Sequence, residues 1–166
     1  MIALAVGAIL FAAMLGETAL SRRHDRVLRA RGAIEPRDDV YAAMQFAYPG
    51  SFLAMLAEGA WRGVQADTVF FAGLFVLGFA KTLKYWAIAS LGDRWTFRVL
   101  VPPGSHPTVR GPYRWIAHPN YVAVAGEIAG CALAMRAMIS GPIAFVGFGL
   151  LMLRRIRIEE TALAGE

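Results

Sequence analysis

The chain has 166 residues, a single domain's worth, and 57% of them are hydrophobic. A mean hydropathy of +0.49 excludes an ordinary soluble domain and points to an all-α integral membrane protein, because a helix satisfies its own backbone in lipid. The formal net charge of +5 does not indicate nucleic acid, since the cations flank apolar runs and do not cover a soluble face.

Five windows approach or exceed the length needed to cross a hydrocarbon core, roughly 20 residues: 2–20, 40–60, 68–90, 119–138 and 142–158. The first has no basic stretch before it and carries Glu17, so it reads as a retained span and not as a signal peptide. Residues 21–39 read as an Arg-rich loop with Asp25, Glu35, Asp38 and Asp39 interspersed. Topology and contact with anionic lipid headgroups are its expected roles. The third window carries Lys81 and Lys84 at its lower end. Residues 92–118 are too polar, and too rich in Pro and Gly (Pro102, Pro103, Gly104, Pro107, Gly111, Pro112), to be a span. A loop of that length suits a ligand lid.

Fifteen of the 17 Lys and Arg residues lie in 21–39, in 81–118 or at the C-terminal end, against Arg62 and Arg136 elsewhere. The positive-inside rule therefore predicts the N-terminus outside, and the 91–118 loop and C-terminus in the cytoplasm. The expected organisation is a single membrane domain, 1–166, with N-terminal helices in 1–67 and the chemistry in 68–166.

Two polar segments stand out: Gly111-Pro112-Tyr113-Arg114-Trp115-Ile116-Ala117-His118-Pro119-Asn120-Tyr121, and Arg155-Ile156-Arg157-Ile158-Glu159-Glu160. Pro119 suits the first turn of a helix and biases His118 away from helical geometry, which makes His118 the expected cap of the fourth span. The free N–H groups there favour an anion such as a carboxylate. An interfacial aromatic belt of Tyr113, Trp115 and Tyr121 is the equally weighted plain reading. Glu127 shares a face with Asn120, roughly 12 Å beyond Pro119 along the axis. At that depth a carboxyl requires a partner or a cavity. Gly126 and Gly130 form a small-residue face for close helix approach. Arg155 and Glu159, four apart, face the same way, and acidic residues at a helix C-terminus oppose the dipole unless a ligand or neighbouring Arg residues compensate.

Cys131, the single cysteine, reads as packing and allows no intrachain disulfide. His24, His106 and His118 share no metal-ligand spacing, and no HExxH or Gly-rich dinucleotide motif is present. Neither a metal nor a Rossmann domain is expected.

These residues resemble the isoprenylcysteine carboxyl methyltransferase family of integral-membrane, S-adenosylmethionine-dependent enzymes. The matching pattern is His106, Val109, Gly111, Tyr113, His118-Pro119 and Tyr121, then Arg155-Ile156 and Glu159-Glu160 followed by Leu163. Leu91-Gly92, Arg94-Trp95-Thr96, Asn120 and Glu127 look like a bacterial branch associated with type III polyketide synthases, whose members methylate alkylpyrones or alkylresorcinols. The chain departs from the family at Ala117, where Arg usually precedes His-Pro, and near Phe148, where many members carry Asn.

The resemblance implies about five transmembrane helices and a cytoplasmic-side cofactor pocket formed by the C-terminal half, in a bacterial inner membrane. His106, Val109, Gly111, Tyr113, His118, Pro119, Tyr121, Glu159 and Glu160 would bind S-adenosylmethionine, with S-adenosylhomocysteine as product. Arg155 would orient an ionised oxygen acceptor with a lipid tail, and Glu127 would be a weaker candidate for general base. Competing readings are a phospholipid N-methyltransferase, an NADPH-dependent membrane sterol- or enone-type reductase, and a small scaffold without activity. Donor binding separates them.

Overall fold

The structure is a computed structural model that describes residues 1–36, 40–104 and 108–164. Its long elements are all helices: α1 (Ile2–Ala30), α2 (Tyr41–Trp61), α3 (Thr68–Leu91), α4 (Pro119–Ala134) and α5 (Ser140–Ala164), with 3-10 turns at Gly92–Arg94 and Gly111–Arg114. Among the described residues the extended pairing is a single antiparallel bridge between Ile34 and Val101. By length and composition, α1 and the segment Thr68–Arg94 are each long and apolar enough to cross a membrane.

One expectation is corrected. Residues 21–30, read from the sequence as loop, continue α1 to Ala30; Asp38 and Asp39 lie outside the described residues. Arg is a good helix former, and the segment also has a face to bury. Ser21, His24 and Leu28 recur at helical spacing. Ser21 Oγ accepts from Phe97 N at 2.9 Å, His24 Nδ1 donates to the Trp95 carbonyl at 2.7 Å, and Leu28 is wholly buried. The helix persists because the segment 95–97 packs against it.

The core runs between the helices: Leu10 and Met14 of α1, Phe52 and Met55 of α2, Leu77 of α3, Ile128 and Cys131 of α4, Phe148 and Met152 of α5. The most extensive pair is α3 with α4, and small residues allow it. A Cβ on Gly130 would stand 2.6 Å from Leu77 N and 3.0 Å from Gly73 O, and one on Gly126 2.9 Å from Ala80 Cβ. Gly73, on the facing side, would collide with the Ala134 backbone. Backbones approach this closely where neither helix offers a side chain.

Two acids fix the opposite helix ends. Asp67 caps α3 by accepting from Phe70 N at 3.0 Å and pairs with Arg136. Glu58, near the end of α2, accepts from Ser140 N at 2.8 Å, Ser140 Oγ at 2.7 Å and Ile139 N at 3.1 Å. It thereby satisfies free donors at the start of α5.

Candidate active site

The start of α4 and the end of α5 meet at one end of a cavity of about 800 Å³, within the usual size of ligand sites. Pro119 opens α4 with His118 at the cap position. The His118 side chain makes no capping bond to its own helix; Nε2 lies 3.1 Å from Glu160 Oε1 on α5. Tyr121, one turn further on, donates from Oη to Glu159 Oε2 at 2.8 Å and accepts from Arg155 Nε at 2.9 Å. The Arg155–Glu159 pair on one face of α5 is thus bridged by a phenol from α4. Arg155 is 93% covered, so its bonds act in a medium of low dielectric.

Tyr113, from the 3-10 turn, lines the same end. Burial, reinforced by the Glu159 charge, pushes its phenol above the usual range. It stays a neutral hydroxyl donor. The turn fits because Gly111 has φ 57°, a left-handed geometry that glycine adopts freely, and because a side chain there would collide with Ser90 on α3. Trp115 packs against Trp86 with ring centroids 6.0 Å apart. Asn120 accepts from Trp95 Nε1 at 3.3 Å.

Of the site residues expected from sequence, Val109, Tyr113, His118, Tyr121, Arg155, Glu159 and Glu160 line the cavity. Gly111 and Pro119 do not line it, and His106 lies outside the described residues. Ala117 faces the cavity, whereas Arg114 turns to the Trp115 ring. The N-terminal half contributes more than expected: Phe11, Met14 and Leu15 of α1 and Met44 of α2 make an apolar wall, and Arg22 joins Arg94 and Arg98 in the lining.

Glu127 is fully buried and does not line the cavity. It belongs to a charge quartet between helices. Its carboxylate meets Lys81 Nζ at 3.0 Å and Lys84 Nζ at 3.3 Å, and those ammoniums meet Glu17 at 2.7 and 2.6 Å. Tyr48 of α2 donates to Glu127 Oε2. Tyr48 and Lys84 do line the cavity, and sequence reasoning missed both. A signal existed: four ionisable groups within apolar runs must find each other. Lys81 and Lys84 are therefore interior partners and not interfacial anchors. Among the described residues, no group of His, Cys, Asp or Glu is arranged to hold a metal.

Two helices long and apolar enough to cross a membrane, and a cavity with polar groups where the start of α4 meets the end of α5, set out the candidate site. The model of the isoprenylcysteine carboxyl methyltransferase (ICMT) family matches residues 72–165, and the chain belongs to that family. At the level of that family it is a membrane-bound methyltransferase. The chain is 31% identical over 156 residues to YpbQ of Bacillus subtilis, covering 94% of this chain and 93% of the relative. It is 24% identical over 146 residues to a protein of Haemophilus influenzae, covering 87% and 85%. Both relatives are described as uncharacterized proteins. No solved structure matches the chain.

Proposed function

We propose that the protein is an S-adenosylmethionine-dependent O-methyltransferase acting on the carboxylate or acidic hydroxyl of a lipid-tailed acceptor, of alkylpyrone, alkylresorcinol or prenylcysteine type. The observation that carries this reading is the convergence of His118, Tyr121, Arg155, Glu159 and Glu160 at one end of a cavity whose far wall is apolar, in a chain of a methyltransferase family. The donor set fits the proposed donor. The start of α4 and His118 suit a carboxylate, Glu159 and Glu160 accept from ribose hydroxyls, and the rings of Tyr113 and Tyr121 suit a sulfonium. Val109 and His106 complete the set by resemblance, with Gly111 and Pro119 shaping the backbone.

The donor supplies an electrophilic methyl group carried on sulfur. The protein positions the oxygen that receives it, because displacement depends chiefly on alignment. Arg155, fixed by Tyr121, orients the acceptor's oxygen, and Tyr113 offers a neutral hydroxyl beside it. Trp95 and Phe97, rings 5.1 Å apart, help exclude water. Phe11, Met14, Leu15 and Met44 hold the tail, which enters between helices. Glu127 serves as proton acceptor where the substrate is a hydroxyl.

In this arrangement all five helices cross a bacterial inner membrane, with the N-terminus outside and the polar end of the cavity open to the cytoplasm. Residues 68–166 carry the donor chemistry, and 1–67 contribute walls to the tail region. Calorimetric titration of detergent-purified protein with S-adenosylhomocysteine, with NADPH in parallel, tests the reading. Micromolar binding of S-adenosylhomocysteine alone is expected; binding of NADPH alone, or of neither, overturns it.

A further inference from the structure

Glu127 has no surface on the cavity, so any proton it takes from an acceptor must pass through a neighbour. Tyr48 lines the cavity and its hydroxyl donates to Glu127 Oε2. We infer that Tyr48 relays the proton of a weakly acidic acceptor hydroxyl, a phenol or enol, from the cavity to Glu127. The purpose of the relay rests on the transferase reading above, but the proton step itself needs no methyl donor.

The surroundings suit a transfer of this kind. α1 presents Glu17, α3 presents Lys81 and Lys84 with Tyr85 beside Lys81, α4 presents Glu127 and, one turn on, Cys131, and α5 presents the Phe148 ring 5.4 Å from that of Tyr48. Two ammoniums and two carboxylates balance. Lys84 Nζ lies 3.4 Å from Tyr48 Oη and 5.1 Å from its ring centre.

In the step, the acceptor O–H bond breaks and its proton joins Tyr48 Oη while Tyr48's own proton moves to Glu127. The electron pair stays on the acceptor oxygen, free to form the new bond to carbon. Protonation leaves the quartet with one excess positive charge, and the oxyanion across Tyr48 balances it. Charge is thus displaced within the site and not created in a low-dielectric region, where an isolated ion is costly. Afterwards the proton returns from Glu127 through Tyr48 to the cavity. A carboxylic acid ionises unaided near neutral pH and gains nothing from the relay. Tyr48 therefore serves hydroxyl acceptors and is dispensable for carboxylates.

The test uses an alkyl nitrophenol, whose phenolate absorbs visible light, bound to the detergent-purified protein with no donor present. The bound phenol of the native protein is expected to ionise about one pH unit lower than in Tyr48→Phe, a tenfold difference in ionised fraction. Equal ionisation overturns the relay. Phe keeps the ring packed against Phe52 and Phe148, and a melting curve checks that the variant is folded. Should it not fold, infrared difference spectra of the native protein decide: a carboxylic acid band on adding the phenol, absent with its methyl ether, supports the relay, and no band overturns it. Titration with S-adenosylhomocysteine on the same sample keeps the two proposals apart. Probe ionisation without that binding sinks the transferase reading alone, and binding without a probe shift sinks the relay alone.

Discussion

Gly130→Ala tests the contact that sets the spacing of the whole site. The added Cβ would stand 2.6 Å from Leu77 N, 2.9 Å from Leu77 Cα and 3.0 Å from Gly73 O, all backbone, so no side chain can turn aside. Relief to ordinary contact at 3.4 Å requires α3 and α4 to separate by about 0.8 Å. Overpacking of that kind costs about 2 kcal/mol, which corresponds to a fall on the order of 6 °C in Tm for a chain of this length. The same separation lengthens the ion pairs from Lys81 and Lys84 to Glu127, now 3.0 and 3.3 Å. Thermal unfolding in detergent, followed by circular dichroism, gives the measurement. Gly147→Ala is the control: nothing lies within 4 Å of its Cβ position, and the better helix propensity of Ala should leave Tm unchanged or raise it slightly. Equal melting of Gly130→Ala and the native protein would show that the helices are not in backbone contact and refute the packing argument.

Other outcomes are expected on the same footing. His118→Ala and Glu159→Gln should each weaken S-adenosylhomocysteine binding about tenfold, the worth of one charge-assisted bond, while Cys131→Ala, buried in the core, should leave it unchanged; calorimetry decides, and unchanged affinity in both of the former sinks the pocket. Glu58→Ala strips the start of α5 of the acceptor for Ile139 and Ser140 and should lower Tm. Burial opposes ionisation of Glu35, but hydrogen bonds and charge from Arg29 and Arg98 prevail and hold its carboxyl below the usual range. Because its folded pKa lies below the unfolded 4.5, its contribution is complete above that pH and disappears as pH falls through the folded value. Glu35→Gln should lose that acid-limb slope, a change under about 1 kcal/mol for a partly exposed pair, visible in Tm against pH.

Local regularities carried much of what the sequence revealed. Pro119 marks a helix start by its missing N–H, Arg155 and Glu159 share a face by spacing, and Gly126 with Gly130 announces close packing before any partner is known. The partners themselves were not legible. Tyr48 and Glu127 are 79 residues apart, and no period in either segment says that their helices touch. Gly73 reads as one apolar-run glycine among several until α4 is laid against it. The helical continuation at 21–30 was missed because charge density was taken as a sign of loop, whereas Ser21 and His24 bond to a segment distant in sequence. The cavity's N-terminal wall was hidden for the same reason: Phe11 and Met14 are ordinary span residues until α1 stands next to α2.

The charge quartet also constrains how the bundle assembles. Glu17 is carried by α1, and its counter-ions, Lys81 and Lys84, lie two helices later in the chain. Until α3 packs against α1, that carboxyl has no ammonium to meet it, a costly state for a charge in an apolar segment. Docking of α3 removes that cost for α1, and docking of α4 brings Glu127 to the second side of both lysines. α1 thus carries a charge that α3 balances, and α3 a second positive charge that α4 balances, so a bundle lacking either is electrostatically incomplete. The ion pairs therefore tie α1, α3 and α4 to one another, and no two of these helices alone satisfy all four charges.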